Sequence, residues 1–355
     1  MICETVLDWL WSWSQSAWQE IGRRVVLKQI QLDRYGPPEE VARCAEVPDV
    51  APAGPGEVVF EVVAFPINPA DIMTCTGHYR IRLNFPATLG AECVGRVLEI
   101  GPGVATVKPG DLVINLLRDN WTQKRKVRGE DVIRLPEGID LRQAAMVRIN
   151  PPTAHLMLTD HVDLKPGDWI IQNAANSAVG RLVITLAKAR GIRTLNVARR
   201  DNVFTGLSAL GADICLLDSD DLPNRVADAL GGASVRLALD AVGGLATKRL
   251  GICVKDGGIV VNYGRMGEDD PIFGTAELIF RGVTLTGFML GRALAKRDRS
   301  GIQSIYDTLM RQVMTGQLSA PVDTIYPIEA IREALIHAQR PGHNGKILVA
   351  PNGMI

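Results

Sequence analysis

Residues 167–201 read GDWIIQNAANSAVGRLVITLAKARGIRTLNVARRD. Trp169, Ile170 and Ile171 form a short apolar run between Gly167-Asp168 and Asn173, the pattern of a strand buried in a parallel sheet. Leu182, Val183, Leu186 and Ala187 then recur on one helical face. Gly191 offers a helix stop, and Thr194–Val197 makes a second short strand. Strand, small-residue turn, helix and strand together form a βαβ unit. The start of its helix presents free N–H groups and the positive end of the macrodipole to an anion such as a pyrophosphate. The turn is not a complete Gly-x-Gly-x-x-Gly fingerprint. From Ala175 to Gly180 it keeps only the last glycine, with Ser177 and Ala178 inside the turn. An ordinary βαβ unit without nucleotide shares this pattern.

The end of the second strand bears on cofactor choice. NAD sites place an acid there for the ribose hydroxyls, whereas a 2′-phosphate calls for arginine. Here Val197-Ala198 runs into Arg199-Arg200, and Asp201 follows only after both. NADPH is therefore expected over NADH, with a solvated basic pair as the alternative.

Around this unit the chain of 355 residues suggests two domains. A formal net charge of zero points to no nucleic-acid partner, and no apolar run is long enough for a membrane span. Six scattered cysteines, at positions 3, 44, 75, 93, 215 and 253, lack paired spacing. Neither a disulfide framework nor a structural zinc lobe is expected. A reducing compartment, read here as the cytoplasm, suits them. Trp9, Trp11, Trp13 and Trp18 crowd the N-terminus. Residues 1–24 read as a Trp-rich arm or peripheral helix, with a membrane-surface helix, an oligomer contact or a misassigned translation start as alternatives.

Between Val25 and Arg148 short β-runs alternate with Gly/Pro turns, as in Gly56–Val63, Gly95–Gly101 and Gly110–Ile114. Such spacing predicts a compact β-barrel-like domain. From Asn150 to about Leu290 strands alternate with helices, the doubly wound α/β pattern. A helix is expected around Ile302–Met314. The tail Gly345–Val349 is expected to return as a strand to the first domain. The expected domains are thus 25–148 plus 291–355, and 149–290, with the cleft between them as the site.

Recognisable segments now accumulate: Asn68-Pro69-Ala70-Asp71-Ile72, Gly77-His78-Tyr79, Leu89-Gly90-Ala91-Glu92, Ile149-Asn150-Pro151-Pro152-Thr153-Ala154-His155, Gln172–Gly180, Asn262-Tyr263-Gly264 and Gly287–Leu290. With these the chain resembles the medium-chain dehydrogenase/reductase superfamily, and within it the mitochondrial-type trans-2-enoyl-CoA reductases. The resemblance spans about residues 25–350 and implies a Rossmann doubly wound parallel sheet plus a GroES-like β-barrel catalytic domain. It also implies NADPH as cofactor and a homodimer, with the Val283–Phe288 strand as a candidate edge.

Zinc members of the superfamily need thiolate and imidazole ligands with an open coordination position. Their Gly-His-Glu ligand motif falls where this chain has Gly90-Ala91-Glu92, and no cysteine occurs in Asn68-Pro69-Ala70. No metal is expected. The resemblance places the catalytic tyrosine at Tyr79, whose phenol stays protonated at neutral pH and can donate a proton. A boundary tyrosine with a solvated hydroxyl reads the same from its neighbours alone. Asn150 matches the asparagine beside the nicotinamide, although Asn before Pro-Pro is also a natural turn. Asn176, Ser177, Ala178 and Val179 match the phosphate turn, and Arg199 and Arg200 the 2′-phosphate contacts. Tyr263, Gly264, Arg265 and Met266 match a cofactor-lining loop. Phe288, Met289 and Leu290 match the segment beside the nicotinamide, and Lys346 a C-terminal cofactor contact.

Two departures stand out. Enoyl reductases of this type carry Phe-Trp-Leu where the chain has Phe288-Met289-Leu290, which implies a reshaped acyl pocket. Residues 118–128, RDNWTQKRKVR, are unusually basic, with Asn120 in place of a glycine. Arg118, Lys124, Arg125, Lys126 and Arg128, with Arg80, Arg82 and Arg148, could meet CoA or carrier phosphates, meet a small anionic substrate, or be solvated. The expected activity is NADPH-dependent reduction of the C=C bond of a 2-enoyl thioester, by hydride transfer to the β-carbon and protonation of the α-carbon. The alternatives are reduction of another activated alkene or a quinone, and a non-catalytic NADPH-binding protein.

Overall fold

A computed structural model describes residues 26–267, 269–342 and 345–355. The Trp-rich arm, residues 1–24, lies outside them. The chain forms two compact units. One comprises the described residues up to Leu135 together with Pro321–Ile355, and the other Pro136–Ala320.

The first unit is built from short strands, β1 (Val26–Leu32), β2 (Ala42–Pro48), β3 (Glu57–Pro66), β4 (Ala87–Thr88), β5 (Val94–Ile100), β6 (Leu112–Asn115), β7 (Lys124–Arg128) and β8 (Val132–Arg134). β1 pairs with β2 and β4, while β3 pairs antiparallel with both β5 and β7. Alternation along β3 buries Val58, Phe60 and Val62 on one face. They join Ile30, Leu32, Val97, Val113 and Trp121 in a single core.

The second unit holds a six-stranded sheet: β9 (Trp169–Gln172), β10 (Arg193–Ala198), β11 (Ile214–Leu217), β12 (Val235–Asp240), β13 (Val254–Asn262) and β14 (Thr284–Gly287). Its spatial order is β11-β10-β9-β12-β13-β14, all parallel. The order reverses between β9 and β12, the switch point at which doubly wound sheets bind ligands. Ile170, Leu237, Leu239 and Val261 pack one face against Leu182, Val183, Leu186 and Ala187 of the helix Ala178–Ala189, whose predicted apolar stripe is fully buried. Ile171, Leu195, Val197 and Val260 pack the other.

The domain limits differ from those read in the sequence. The helix Arg299–Met314 buries Leu309 in the same core as Ile170 and Leu182, and Leu318 follows it there. Residues 136–148 and 291–320 therefore belong to the α/β unit. Only then does the chain return as β15 (Val322–Pro327) and β16 (Lys346–Ala350). β16 pairs antiparallel with β3 through Leu348 and Val349, placing Ile347 and Val349 in the first unit's core.

Candidate active site

The turn after β9 shows what the surviving glycine does. Ala174 sits in the left-handed region at φ 45°, and the Ser177 hydroxyl caps the helix Ala178–Ala189 by accepting from the Gly180 N–H at 3.1 Å. A Cβ on Gly180 would stand 2.6 Å from the Ala175 carbonyl oxygen and 2.8 Å from that of Ala174. Gly180 is thus a close-contact glycine, in the position where a dinucleotide turn needs one. The earlier glycines are dispensable because Ala174 accepts the bend and Ser177 supplies the cap. Asn176 is exposed, while Ser177, Ala178 and Val179 are half-buried at the helix start, where first-turn N–H groups lack intrahelical partners.

Apart from Asn150, the remaining expected cofactor residues of this unit follow the carboxyl ends of the strands. Arg199 and Arg200 leave β10 exposed, and no ion pair engages either one among the described residues. Phe288, Met289 and Leu290 follow β14, with the Phe288 N–H donating to the Asn262 carbonyl at 2.8 Å. Met289 is exposed. Tyr263, Gly264, Arg265 and Met266 follow β13. A Cβ on Gly264 would meet the Ala241 carbonyl oxygen at 2.9 Å, and Arg265 reaches Asp270 at 3.5 Å. The Tyr263 hydroxyl is buried, and burial pushes its pKa up despite a counteracting influence from Ser177. Asn150 is the first residue of the helix Asn150–Thr159, not a free turn. Pro151 and Pro152 fill first-turn positions where no N–H is needed.

Beneath these strand ends lies a hub that sequence reasoning missed. Asp240 is fully buried. Its carboxylate accepts from Asn173 Nδ2 at 2.6 Å, Thr247 Oγ1 at 2.6 Å and Asn262 Nδ2 at 2.9 Å. Asn173 Oδ1 accepts from the Ala241 N–H at 2.7 Å. The ends of β9, β12 and β13 are thereby tied together. The available signal was an aspartate closing the apolar run Val235–Asp240.

In the first unit Tyr79 follows the helix Pro69–Cys75, its N–H donating to the Met73 carbonyl at 3.1 Å. The ring is half-buried, and the Arg118 guanidinium carbon stands 5.6 Å from its centroid. Arg118 also reaches Asp71 at 3.7 Å. Asp71 is fully buried and accepts from the N–H groups of Asn68 and Ala91, each at 3.0 Å. Burial pushes its pKa up, while Arg118 pulls it down. Lys346, assigned to the cofactor by resemblance, donates here to Asn68 Oδ1, and Asn68 Nδ2 donates to Glu92 at 2.9 Å. Burial pushes the Lys346 pKa down, with Glu92 and Asp71 opposing.

Where zinc enzymes place ligands, this chain therefore has a network of carboxylates and cations around Ala91. The nearby Cys75 thiol is buried, and burial pushes its pKa up to about 12. Asn120, the residue in place of glycine, is buried and ties this loop down. It donates to the Gly90 and Leu117 carbonyls at 3.1 and 2.9 Å.

Comparison with known proteins agrees with this layout. The alcohol dehydrogenase GroES-like domain model matches residues 54–134, and the zinc-binding dehydrogenase model matches residues 178–306. The mitochondrial enoyl-acyl-carrier-protein reductase of Dictyostelium discoideum is 34% identical over 311 residues, covering 82% of this chain and 86% of that protein. The Bos taurus enzyme of the same name is 35% identical, covering 89% and 86%. Among solved structures, an Etr1p complex with NADP and crotonyl-CoA aligns with a TM-score of 0.82 at 25% identity, over 92% of this chain and all of that one. A Bacillus thuringiensis protein described as an NADPH:quinone reductase aligns with a TM-score of 0.87 at 25% identity, over 92% and 99%. The cytoplasmic placement read from the sequence does not stand, because the enzyme relatives are mitochondrial. Scattered thiols report a reducing milieu and do not separate one such compartment from another.

Proposed function

The chain belongs to the enoyl-acyl-carrier-protein reductase family of medium-chain dehydrogenase/reductases, and on that premise we propose that it reduces the C=C bond of a 2-enoyl thioester with NADPH. The observation that carries the cofactor half is the turn at Gly180 together with the exposed Arg199-Arg200 at the end of β10. Bound NADPH supplies a hydride to the β-carbon of the alkene.

The residues of the chain do the rest. The turn Asn176–Val179 holds the pyrophosphate at a helix N-terminus, and Arg199 and Arg200 hold the 2′-phosphate. Tyr263–Met266 line the cofactor, and Phe288–Leu290 with Asn150 position its nicotinamide. Lys346 serves it through the charged network with Asn68. Charge developing on the thioester oxygen is stabilised by donors aimed at it. Tyr79 delivers the proton to the α-carbon as a general acid, directly or through a relay.

The active form is a homodimer. Its support is β14, which ends the sheet as an open edge, beside Ile279 and Phe280 with 68% and 82% of their surface exposed. Light scattering that shows a monomer at working concentration would remove this part of the reading.

The test of activity follows the loss of NADPH absorbance with crotonyl-CoA, a longer enoyl-CoA, a free enone and a quinone. Turnover of the thioesters is expected. Turnover of the quinone alone would favour the second reading, a quinone reductase, which the resemblance to the Bacillus thuringiensis protein and the exposed Met289 support. NADPH binding with no turnover across the panel would mark a non-catalytic binding protein.

A further inference from the structure

The structure sorts the basic run 118–128 by strand geometry. Side chains on β7 alternate between faces. Lys124 pairs with Asp49 at 2.6 Å, and Lys126 pairs with Glu57 at 3.3 Å. Arg125 lies on the opposite face, directly across from the buried Phe60 and two residues from the buried Val127. A cation on the core face of a strand is costly without an anion. Among the described residues Arg125 has one hydrogen-bond partner there, the Arg118 carbonyl, which it reaches through Nη2 at 3.2 Å. Its Nε is buried with no hydrogen-bond partner among the described residues.

Arg125 opens into a cavity of about 410 Å³ whose wall includes Gln29, Arg82, Asn84, Thr88 and Asp119. Arg82 is exposed, and no ion pair engages it among the described residues. Two arginines and one aspartate line the cavity, so its formal charge is positive. It is far larger than an isolated phosphate needs and has room for a phosphate with the chain attached to it. Its wall residues Ile81–Asn84 come just after Tyr79 and Arg80 in the sequence. Its Arg125 bonds the carbonyl of the residue that covers the Tyr79 ring.

We propose that this cavity binds the phosphate of a phosphopantetheine-borne thioester, with Arg82 and Arg125 as its anchors. The proposal rests on the enoyl-thioester reading and names the part of the substrate remote from the alkene. Guanidiniums bind phosphate through paired N–H donors. A remote contact made equally in the ground state and the transition state lowers KM and leaves the chemical step unchanged.

The test compares wild type with Arg82→Gln and with Arg82→Gln/Arg125→Gln, using crotonyl-CoA, crotonyl-4′-phosphopantetheine and crotonyl-N-acetylcysteamine. For the double variant, KM for crotonyl-CoA should rise about 10- to 100-fold with kcat nearly unchanged, while KM for the phosphate-free thioester stays the same. An equal rise with the phosphopantetheine ester assigns the anchor to the 4′-phosphate that CoA and a carrier share. A rise with CoA alone assigns it to the adenosine phosphates. Equal effects on all three thioesters, or none, would overturn the proposal. Calorimetric titration of free coenzyme A into the NADP-loaded protein gives a readout independent of turnover. Loading the protein keeps coenzyme A off Arg199 and Arg200. Undiminished coenzyme A binding by Arg82→Gln, the variant at the exposed position, would also overturn it. Failure of every thioester to react would count against the enoyl-thioester reading, and the titration would still decide the cavity.

Discussion

Arg118 covers the ring of Tyr79 at 5.6 Å and reaches the buried Asp71 carboxylate at 3.7 Å, so one guanidinium links the proposed acid to the charged network around Ala91. A cation over an aromatic face is worth about 0.5–1 kcal/mol at a partly exposed site, enough to favour one ring position. Arg118→Met should leave Asp71 less compensated and Tyr79 less fixed. Denaturant unfolding should show a loss of about 1–2 kcal/mol, and kcat should fall with little change in NADPH affinity. Arg118→Lys should recover most of the stability and less of the rate, because an ammonium keeps the charge but not the planar stack.

Tyr79→Phe removes one hydroxyl from a half-buried ring. If that hydroxyl supplies the proton, kcat should fall by about 10²- to 10⁴-fold, while NADPH affinity measured by fluorescence titration holds. An unchanged kcat on crotonyl-CoA would remove Tyr79 from the mechanism.

The parallel sheet was legible because its strands are buried on both faces and read as unbroken apolar runs, such as Ile170-Ile171 and Val260-Val261. The returning strand β16 was legible for the same reason. The limits of the α/β unit were not. The amphipathic pattern of Arg299–Met314 shows a buried face but not which core receives Leu309. The local conformation of the turn, with Ser177 at the helix start and Gly180 as its glycine, could be read from the turn itself. The roles of Asp71, Asp240 and Lys346 could not, because each also has a partner far away in the chain. Lys346 meets Asn68 across 278 positions, and Asn173 meets Asp240 across 67. The basic run 118–128 read as one charge cluster until strand alternation divided it between two faces.

Gly180→Ala tests the close contact at the nucleotide turn. The added methyl would press on two backbone carbonyls at 2.6 and 2.8 Å, neither of which can move without shifting the Ser177 cap. A cost of about 1–3 kcal/mol is expected from overpacking. The Kd for NADPH should also weaken, because the helix N-terminus that meets the pyrophosphate moves with the turn. Full NADPH affinity in a stably folded Gly180→Ala protein would show that the turn does not cradle the cofactor.

Arg199→Ala/Arg200→Ala should erode the preference for NADPH over NADH. Both side chains are exposed and outside any ion pair among the described residues, so their removal should leave thermal stability within about 0.5 kcal/mol. KM for NADPH should rise by about 10- to 100-fold with KM for NADH nearly constant. Equal losses for the two cofactors would show that the arginines act on something other than the 2′-phosphate.

Cys75 gives a pH dependence with a definite sign. Its thiol is buried beside the Asp71 network, and burial pushes its pKa from the ordinary 9.0 up to about 12. A group whose folded pKa lies above its unfolded value stabilises the fold fully below the unfolded pKa and loses that contribution as pH rises. Between about pH 9 and pH 12 the unfolded chain ionises this thiol and the native chain does not, a loss of about 1 kcal/mol by pH 10. Cys75→Ala has no such group. At neutral pH it should be less stable than wild type by the usual cost of a small cavity, about 1 kcal/mol. By pH 10 that deficit should shrink or vanish, since all other titrating groups are common to both proteins. Urea unfolding of the pair at the two pH values measures the difference directly. A deficit that stays constant would show that Cys75 ionises as readily in the native protein as in the unfolded chain.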